Sequence, residues 1–387
     1  MRIVASAPAK VILFGEHYVV YGATGLVAAI EPYNEIEMES TKSDAAGAGL
    51  EYRSTIEEND IDVEFGEKDR TFAHPYAVLY HKLAKHLAPL QKMRVRAQVK
   101  FAWPLKGVGN SASLGAALGA GLRKIGGQKT AAHSVFFGDA QTADEVAHGG
   151  GRPSGIDAAA ASYGGVLEFS KDFKNLARPK IRPIKIAPMP AVEFVLVNTY
   201  SVDRARGSTA ELISAFAKAN GISKKPAEMS KKEREKVFGA YAPLQVFARE
   251  ALEKGEWGML GHLMDENHKM VSQMGVSSPG IEKAVAICKS FGALGAKLSG
   301  AGGPGGVVIA LVEKERIPAV LEALEAGGFE TYQFRPAGMG AHVNDGEEKL
   351  EKKRKKLHKK ERKKLYKSRR IKLHKNRRIK LRKNRRK

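Results

Sequence analysis

The chain has 387 residues, which is too long for one ordinary hydrophobic core, so we expect two domains with additional segments. Its hydrophobic fraction of 43% is ordinary for a globular protein. The single cysteine, Cys288, excludes an intrachain disulfide framework and fits a reducing cytoplasm. We expect neither a signal peptide nor a transmembrane helix, because the opening residues lack a signal-peptide pattern and no stretch approaches about 18 consecutive apolar residues.

The net charge of +23 invites a nucleic-acid-binding interpretation, but the charge is concentrated at one end of the chain. Residues 347–387 hold 24 Lys+Arg and 4 Asp+Glu, whereas the preceding residues hold 41 and 38. The body of the chain is therefore nearly neutral, and the excess charge belongs to a C-terminal tail.

Strands and helices are predicted along the body of the chain from the periodicity of its apolar residues. In the N-terminal half they are an opening strand over 3–14 that Pro8 interrupts, a helix near 77–87, a strand over 95–101, a helix with Leu114, Leu118, Leu122 and Ile125 on one face, and a helix over 131–148. In the C-terminal half they are a buried strand over 194–197, helices in the regions 210–219 and 243–268, a break near 277–280 followed by a helix through Lys289, a strand over 307–311, a helix over 317–325 and a weak strand over 332–334.

The tail is a low-complexity repeat in which Leu357, Leu365, Leu373 and Leu381 recur every eight residues. On a helix each such step rotates the leucine by about 80°, so the leucines form neither a straight stripe nor a heptad seam. With its high charge, the tail is expected to be solvated and largely disordered.

Two glycine-rich segments are candidates for binding phosphate. The first, Pro104–Ser113, lies between a predicted strand and a predicted helix. Its glycines allow close backbone approach, and the helix N-terminus favours an anion. A structural turn that only starts the helix is the competing interpretation. The Walker pattern is absent, which excludes a P-loop NTPase.

The second segment matches the pattern G-x-G-x-x-G at Gly300, Gly302 and Gly305. A dinucleotide-binding fingerprint runs from its turn into a helix, whereas here Val307–Leu311 reads as a strand. We therefore reject a dehydrogenase interpretation.

Asp157 and Lys10 are candidate reactive groups. Asp157 follows a turn and is either a helix cap or turn residue, or a carboxylate whose small neighbours leave room for a substrate. Lys10 lies in an apolar strand and is either an edge residue with its head in water or a buried charge that needs an anionic partner. Each residue alone leaves both interpretations open.

Four segments, in order over about residues 1–340, together resemble the galactokinase, homoserine kinase, mevalonate kinase and phosphomevalonate kinase (GHMP) superfamily. They are Ala7–His17 with Val19–Gly22, Pro104–Ser113, His148–Gly149 with Pro153–Asp157, and Lys297–Gly306. The first segment resembles the opening of the mevalonate kinases. Galactokinases tend to carry Arg at position 10, phosphomevalonate kinases commonly carry Tyr at position 17, and the related decarboxylases lack the Gly-Glu-His element.

The resemblance implies an α+β, two-domain GHMP kinase fold. The N-terminal domain, 1–188, would resemble ribosomal protein S5 domain 2, and the C-terminal domain, 189–342, would be ferredoxin-like, with a basic disordered tail over 343–387. The implied activity is an ATP- and Mg²⁺-dependent transfer of the γ-phosphate to the 5-hydroxyl of (R)-mevalonate, in isoprenoid biosynthesis in the cytoplasm.

The resemblance also implies residue roles. Asp157 would take the proton from the substrate hydroxyl, and Lys10 would keep that carboxylate ionised and favour the developing alkoxide. His17 and Thr209 match positions that hold mevalonate. The Mg²⁺ ligands would be Ser111 and either Asp144 or the adjacent Glu145. The residues implied to bind the ATP phosphates are Lys106, Gly107, Val108, Gly109, Asn110, Ser111, Ala112, Ser113, Gly300, Ala301 and Gly302.

Three departures from the family pattern bear on these roles. Asn110 stands where the first serine of the phosphate loop is usual, and we expect its amide to alter nucleotide contacts without abolishing binding. An additional Gly-Gly separates His148 from Pro153, which leaves the choice between the two acidic Mg²⁺ candidates open. Pro304 stands where glycine is usual, which predicts a stiffer loop with one N–H donor fewer.

Two alternatives remain open. A sister kinase acting on phosphomevalonate, homoserine or a sugar would be favoured if Lys10 and His17 did not lie near the acceptor site. A protein of another class would bind RNA or another polyanion through residues 347–387, with salt-sensitive binding that is lost on removal of the tail and with no ATP turnover.

The tail itself has three interpretations: nucleic-acid contact, contact with an anionic membrane surface, or no separate function. Tyr366 is its only aromatic residue, so base stacking is not indicated. A homodimer is a further hypothesis that the sequence does not decide.

Overall fold

The computed structural model describes residues 1–44, 48–56, 59–66, 74–128, 131–150, 153–175, 178–203 and 209–344, without the side chains of 54–66, 209, 210 and 213. The strands are β1 Arg2–Phe14, β2 Gly25–Lys42, β3 Gly49–Ile56, β4 Asn59–Gly66, β5 Met93–Lys100, β6 Val166–Ser170, β7 Lys180–Ile184, β8 Val192–Asn198, β9 Ala293–Ser299, β10 Val307–Glu313, β11 Glu330–Pro336 and β12 His342–Asn344. The helices are α1 Pro75–Ala84, α2 Asn110–Ile125, α3 His133–Ala147, α4 Ile156–Tyr163, α5 Tyr200–Asp203, α6 Thr209–Ala219, α7 Lys231–Phe238, α8 Ala242–Lys254, α9 Trp257–Gln273, α10 Pro279–Ser290 and α11 Ile317–Ala326. The tail over 347–387 lies outside the described residues.

Strand β2 organises the sheet that these described strands form. The sheet runs β4-β3-β5-β2-β11-β8-β10-β9, with β1 pairing with β2 and β12, and β6 pairing with β2 and β7. Along one edge β2 pairs with β1, and along the other it meets β6, β11 and β5 in succession. The pairings are antiparallel except for β3 with β5. Helices pack on this mixed sheet, which gives the α+β architecture expected from the sequence.

Two hydrophobic cores hold the fold together. The first core contains residues of β1, β2 and β5 and of helices α1 to α4, including Leu114, Leu118, Leu122 and Ile125, so the predicted apolar face of α2 is buried. The second core contains residues of β8, β9 and β10 with helices α8 to α11. Because β1 contributes side chains to both cores, it is the element that links them.

Strand β1 continues through Pro8, so the predicted interruption there was wrong. The pairing with β2 instead becomes irregular, shifting from Ala7 opposite Asn34 to Ala9 opposite Ile30. This irregularity accommodates a residue that cannot donate a ladder hydrogen bond.

The same irregularity changes which face of β1 each side chain occupies. Ile3, Ala5 and Ala7 lie in the first core, whereas Ala9, Val11 and Leu13 lie in the second, with Ile12 in the first. The in–out alternation therefore reverses near Pro8. Lys10, two residues before Ile12, consequently shares the face toward the first core, where α2 and α4 pack on β1.

Other differences from the predicted elements concern the C-terminal half. The region 243–268 is divided between α8 and α9, which are separated by Gly255 in a left-handed conformation (φ 75°). Val343 and Asn344, which were assigned to the tail, pair with β1 as part of β12. The domain boundary near residue 188 falls between β7 and β8 and stays a prediction. Within the described ranges, every helix is too short or too polar to cross a membrane.

Candidate active site

Lys10 and Asp157 form the centre of the site. The Lys10 ammonium lies 3.3 Å from Asp157 Oδ1 and donates to the Gly107 carbonyl oxygen at 3.1 Å. Lys10 is 5% exposed, so it is a buried charge with an anionic partner rather than an edge residue with its head in water. The side chain of Asp157 is 22% exposed, which leaves its carboxylate accessible from solvent.

Asp157 is not the cap of its helix. Gly155, at φ 90°, is the N-cap of α4, and Asp157 lies in the first turn. The rest of α4 is buried through Ala158, Ala159 and Ala160. The buried helix therefore holds the carboxylate at a fixed place beside β1.

The first glycine-rich segment leads directly into α2 and packs against this pair. The Lys10 backbone N–H donates to the Val108 carbonyl at 2.8 Å. Gly109, at φ 73°, is the N-cap of α2, and a Cβ added there would lie 3.0 Å from the Lys10 side chain and 3.1 Å from Asp157 Oδ2. Only glycine fits this conformation and this spacing without strain.

Asn110 is used within the protein. Its amide nitrogen donates to the carbonyl oxygens of Trp103 and Leu105 at 2.8 and 2.9 Å, and its oxygen accepts from Asn34 Nδ2 at 2.9 Å. The side chain therefore ties the two ends of the loop together, so the departure from serine has a structural explanation that the sequence did not provide.

Ser111 and Asp144 meet at the N-terminus of α2. Ser111 Oγ donates to Asp144 Oδ1 at 2.5 Å, and the Asp144 side chain is 1% exposed. Burial, followed by the negative charge of Asp157, raises the pKa of Asp144 to about 6, while the Ser111 hydrogen bond opposes this. The neighbouring Glu145 is half-buried. Of the two acidic candidates, Asp144 is the one in contact with Ser111.

The second glycine-rich segment faces the first across Lys10. Gly300 has φ 83°, and a Cβ placed there would lie 3.7 Å from the Gly107 carbonyl oxygen and 4.0 Å from Lys10 Nζ. Gly302 has φ 73°, and its added Cβ would lie 2.2 Å from the Val276 carbonyl oxygen. Pro304 is exposed at the tip of the loop. Two glycine-rich loops from distant parts of the chain thus border the Lys10–Asp157 pair.

His17 connects the end of the opening segment to this second loop. Its Nε2 lies 2.8 Å from the Ala301 carbonyl oxygen, and its ring stacks on Phe216 with centroids 5.3 Å apart. Burial lowers the pKa of His17, which favours the neutral ring. Because a carbonyl only accepts, Nε2 carries the proton and Nδ1 is an acceptor. That Nδ1 is buried and has no hydrogen-bond partner among the described residues.

Other predicted site residues occupy varied environments. Lys106 and Gly107 are exposed, whereas Val108, Ala112 and Ser113 are buried, so their side chains shape the loop from inside. Thr209 begins α6, but its side chain and residues 204–208 before it lie outside what is described. Its predicted role stays a prediction.

One feature of the site was not predicted from the sequence. Glu16 and Lys297, both fully buried, form an ion pair beside His17. The two residues belong to recognised segments, but they are 281 positions apart, and no local pattern indicates that they meet.

Comparison with known proteins was consistent with this geometry. The family model of the GHMP kinases C terminal matches residues 248–329. The mevalonate kinase of Thermococcus sibiricus is 31% identical over 353 residues, covering 85% of this chain and 94% of that protein. The chain belongs to the mevalonate kinase family. The family and fold inferred from the four sequence segments are therefore confirmed, and membership makes the chain an ATP-dependent kinase.

Other members of the mevalonate kinase family are similarly related over nearly their whole length. The mevalonate kinase of Aeropyrum pernix is 29% identical and covers 88% of this chain and 98% of its own. The crystal structure of L. major mevalonate kinase in complex with R-mevalonate superimposes with a TM-score of 0.68 and 27% identity, covering 86% of this chain and 95% of that one.

Proposed function

We propose that the protein is a mevalonate kinase, which transfers the γ-phosphate of ATP to the 5-hydroxyl of (R)-mevalonate and yields ADP and 5-phosphomevalonate for isoprenoid biosynthesis. The observation that carries the proposal is the 3.3 Å contact between Lys10 and Asp157, bordered by both glycine-rich loops. Family membership supports the choice of mevalonate over the acceptors of sister kinases.

In this mechanism the acceptor hydroxyl attacks the γ-phosphorus. The new O–P bond forms as the bond to the β-phosphate oxygen breaks, and Asp157 takes the hydroxyl proton. Lys10 lies beside Asp157 and stabilises the negative charge that develops on the attacking oxygen. Placement of these groups matters more than the strength of the base, because phosphoryl transfer is catalysed mainly by positioning and charge stabilisation.

Ser111 and Asp144 are the residues that fit Mg²⁺. Their oxygens lie side by side, and Lys10 is one positive charge against the two carboxylates Asp144 and Asp157, which leaves a local excess of negative charge. Among the described residues, no group of three or more His, Cys, Asp or Glu side chains is arranged to hold a metal ion. This suits Mg²⁺, which takes few protein ligands and completes its shell with nucleotide phosphates and water. Bound there, it would neutralise charge on the transferred phosphate.

His17 and Thr209 are proposed to hold the acceptor. The unpartnered Nδ1 of His17 can accept a hydrogen bond from a hydroxyl group but cannot donate one to a carboxylate. We therefore assign His17 to a hydroxyl of mevalonate. The loops containing Lys106–Ser113 and Gly300–Gly302 are proposed to bind the ATP phosphates, through backbone N–H groups and the N-terminus of α2.

Three further proposals concern partners and location. The net charge of +20 in residues 347–387 favours non-specific contact with nucleic acid or an anionic surface. A homodimer is proposed only as the simplest closed assembly. A cytoplasmic location fits an enzyme that uses ATP and has a single cysteine.

The proposed function is tested by measuring ADP formation by the purified protein with mevalonate, phosphomevalonate, homoserine and galactose as separate acceptors. We expect turnover with mevalonate alone. Turnover with another acceptor alone would keep the proposed chemistry at Asp157 but refute the assignment of His17. Absence of turnover with all four would contradict the kinase proposal and favour polyanion binding through the tail.

A further inference from the structure

Glu16 and Lys297 form an ion pair in the interior of the protein. Both side chains are 0% exposed, and the Lys297 ammonium donates to Glu16 Oε1 and to the Leu298 carbonyl. The second carboxylate oxygen, Oε2, has no hydrogen-bond partner among the described residues. Burial acts to raise the pKa of Glu16 and to lower that of Lys297, and each residue opposes the shift of the other.

Such a pair is not an efficient source of stability. Removing two charges from water has a large desolvation cost, and apolar residues of similar volume often stabilise a core as well or better. Only part of the hydrogen-bonding capacity of Glu16 is satisfied. We therefore expect the pair to position neighbouring residues rather than to add net stability.

The pair is one of three polar contacts between residues 12–17 and 297–301. Ser299 Oγ donates to the Ile12 carbonyl at 3.0 Å and accepts from the Ile12 N–H at 2.9 Å. Glu16 then meets Lys297, and His17 Nε2 meets the Ala301 carbonyl at 2.8 Å. Three residues of one segment, at 12, 16 and 17, thus contact three residues of the other, at 299, 297 and 301, and the last of these lies in the second glycine-rich loop.

His17 needs this support because of its backbone. It has φ 59°, and within the described residues it is the only non-glycine residue with positive φ. A left-handed conformation at such a residue is unfavourable and persists where the surroundings fix it. Glu16 is the residue immediately before it, so an anchored Glu16 side chain restrains the turn in which His17 lies.

We propose that Glu16 and Lys297 are a positioning pair, which fixes His17 relative to the loop Gly300–Gly302 and thereby fixes the acceptor relative to the nucleotide phosphates. This inference rests on the proposed function. Neither residue touches a reacting atom; each acts through His17 and Ala301. Loss of the pair is therefore expected to misplace the acceptor while leaving both glycine-rich loops able to bind ATP.

The test uses the full chain with Glu16→Gln, with Lys297→Met and with both substitutions. Each single variant leaves one buried charge unpaired and should have a lower melting temperature than the wild type. The double variant should have a melting temperature close to that of the wild type, because neither charge remains. The double variant should nevertheless have a higher KM for mevalonate and a kcat lower by between about tenfold and about a hundredfold, with little change in KM for ATP. Wild-type kcat and KM in the double variant would overturn the proposal, because the pair would then only balance charge.

Two further variants complete the design. Glu16→Asp keeps the charge but withdraws the carboxylate by one methylene, so it should show the same change in KM for mevalonate. If the double variant does not fold, wild-type kinetics in folded Glu16→Asp would overturn the proposal. The matched control is Arg123→Met with Asp139→Asn, a mostly buried pair between α2 and α3 at 2.7 and 2.8 Å. It should leave both KM values unchanged, and an equal change in the control would refute a specific role for Glu16.

Wild-type protein assayed in parallel separates the two hypotheses. Absence of turnover of mevalonate by the wild type would refute the proposed function. Turnover by the wild type with unchanged kinetics in the variants would refute the positioning role alone.

Discussion

Three charged side chains, Lys10, Asp144 and Asp157, set the electrostatics of the site. Lys10 contacts Asp157, whereas Asp144 is paired with the neutral hydroxyl of Ser111. Burial and the negative charge of Asp157 raise the pKa of Asp144 to about 6, although Ser111, His148, which lies 3.5 Å away, and Lys10 oppose the rise. The negative charge of Asp157, which adds to this rise in the pKa, also favours a bound divalent cation.

Replacement of Asp157 tests its assignment as the base. Asp157→Asn keeps the shape of the side chain but removes the group that accepts the proton, so we expect kcat to fall by about 10²- to 10⁴-fold. ATP affinity should change little, because the proposed phosphate contacts are made by the two loops. Steady-state ADP formation and a nucleotide-binding titration measure these quantities. Asp172→Asn, in a loop where Asp172 Oδ1 accepts from the Lys174 N–H, is the matched control, and near-normal turnover in Asp157→Asn would refute the assignment.

Replacement of the two adjacent acidic residues tests the choice of Mg²⁺ ligand. Asp144→Asn should raise the Mg²⁺ concentration needed for half-maximal activity by about tenfold or more, since even indirect metal contacts contribute that much to affinity. Glu145→Gln is the control and should leave the Mg²⁺ requirement unchanged, because Asp144 is the residue that contacts Ser111. The reverse pattern would move the ligand to Glu145. Titration of activity with Mg²⁺ at saturating ATP decides between them.

Helix α9 and strand β9 approach each other closely enough to require glycine on both sides. A Cβ added to Gly295 would lie 2.1 Å from the Gly261 carbonyl oxygen, and one added to Gly261 would lie 2.5 Å from Leu294 backbone atoms. Backbone atoms cannot move aside as a flexible side chain does. The contact therefore fixes α9 against the strand that carries Lys297.

The variant Gly295→Ala should separate these two elements. We expect it to lower the free energy of unfolding by about 1–3 kcal/mol, as for other overpacked sites. The matched control is Gly258→Ala on α9, where an added Cβ meets nothing within 4 Å, and this should be neutral or slightly stabilising. Denaturant unfolding measures both. Equal stability of the two variants would show that the contact is not tight.

The site segments were more predictable from the sequence than the strands that align them. Glycine-rich turns and the Lys10 and Asp157 segments have local patterns, and the structure brings them together. Strand β2 is absent from the predicted elements although Ile36 and Met38 alternate with glutamates, because Pro32 interrupts its apolar run. The reversal of alternation near Pro8 depends on pairing with β2, so residues 1–14 alone cannot indicate it.

The local sequence pattern could not predict which side chains of distant segments form pairs in the site. Lys297 lies in an apolar strand, as Lys10 does, and for Lys10 the sequence left open whether the side chain is an edge residue or a buried charge with an anionic partner. Which partner each one takes depends on the sheet: Asp157 reaches Lys10 from α4, and Glu16 reaches Lys297 from the end of the opening segment. Once the structure shows that both lysines are buried, a carboxylate is expected near each, but the local sequence does not identify it.

At the scale of the whole molecule, the sheet brings together segments from the start, middle and end of the body. Lys10, Gly107, Asp157 and Gly300 meet although they are spread over about three-quarters of the chain. Such a site is assembled only when both cores are formed, because β1 contributes to each. Loss of activity and loss of folding should therefore coincide during denaturation of the wild type.

The last whole-molecule question is whether the tail takes part in this assembly. Every residue placed in the site precedes position 345, and removal of residues 347–387 changes the net charge from +23 to +3. We expect the truncated chain to retain the kcat, KM and melting temperature of the full chain.

The affinity of the truncated chain for RNA should be far lower than that of the full chain. Binding of the full chain would come from counterion release by the tail and should fall steeply with salt. Kinetics, thermal melting and RNA titration at several salt concentrations measure these effects on both proteins. Loss of folding or turnover on truncation would make the tail a structural part of the kinase. Unchanged RNA affinity would place the binding surface on the nearly neutral body, where a steep salt dependence has no evident source.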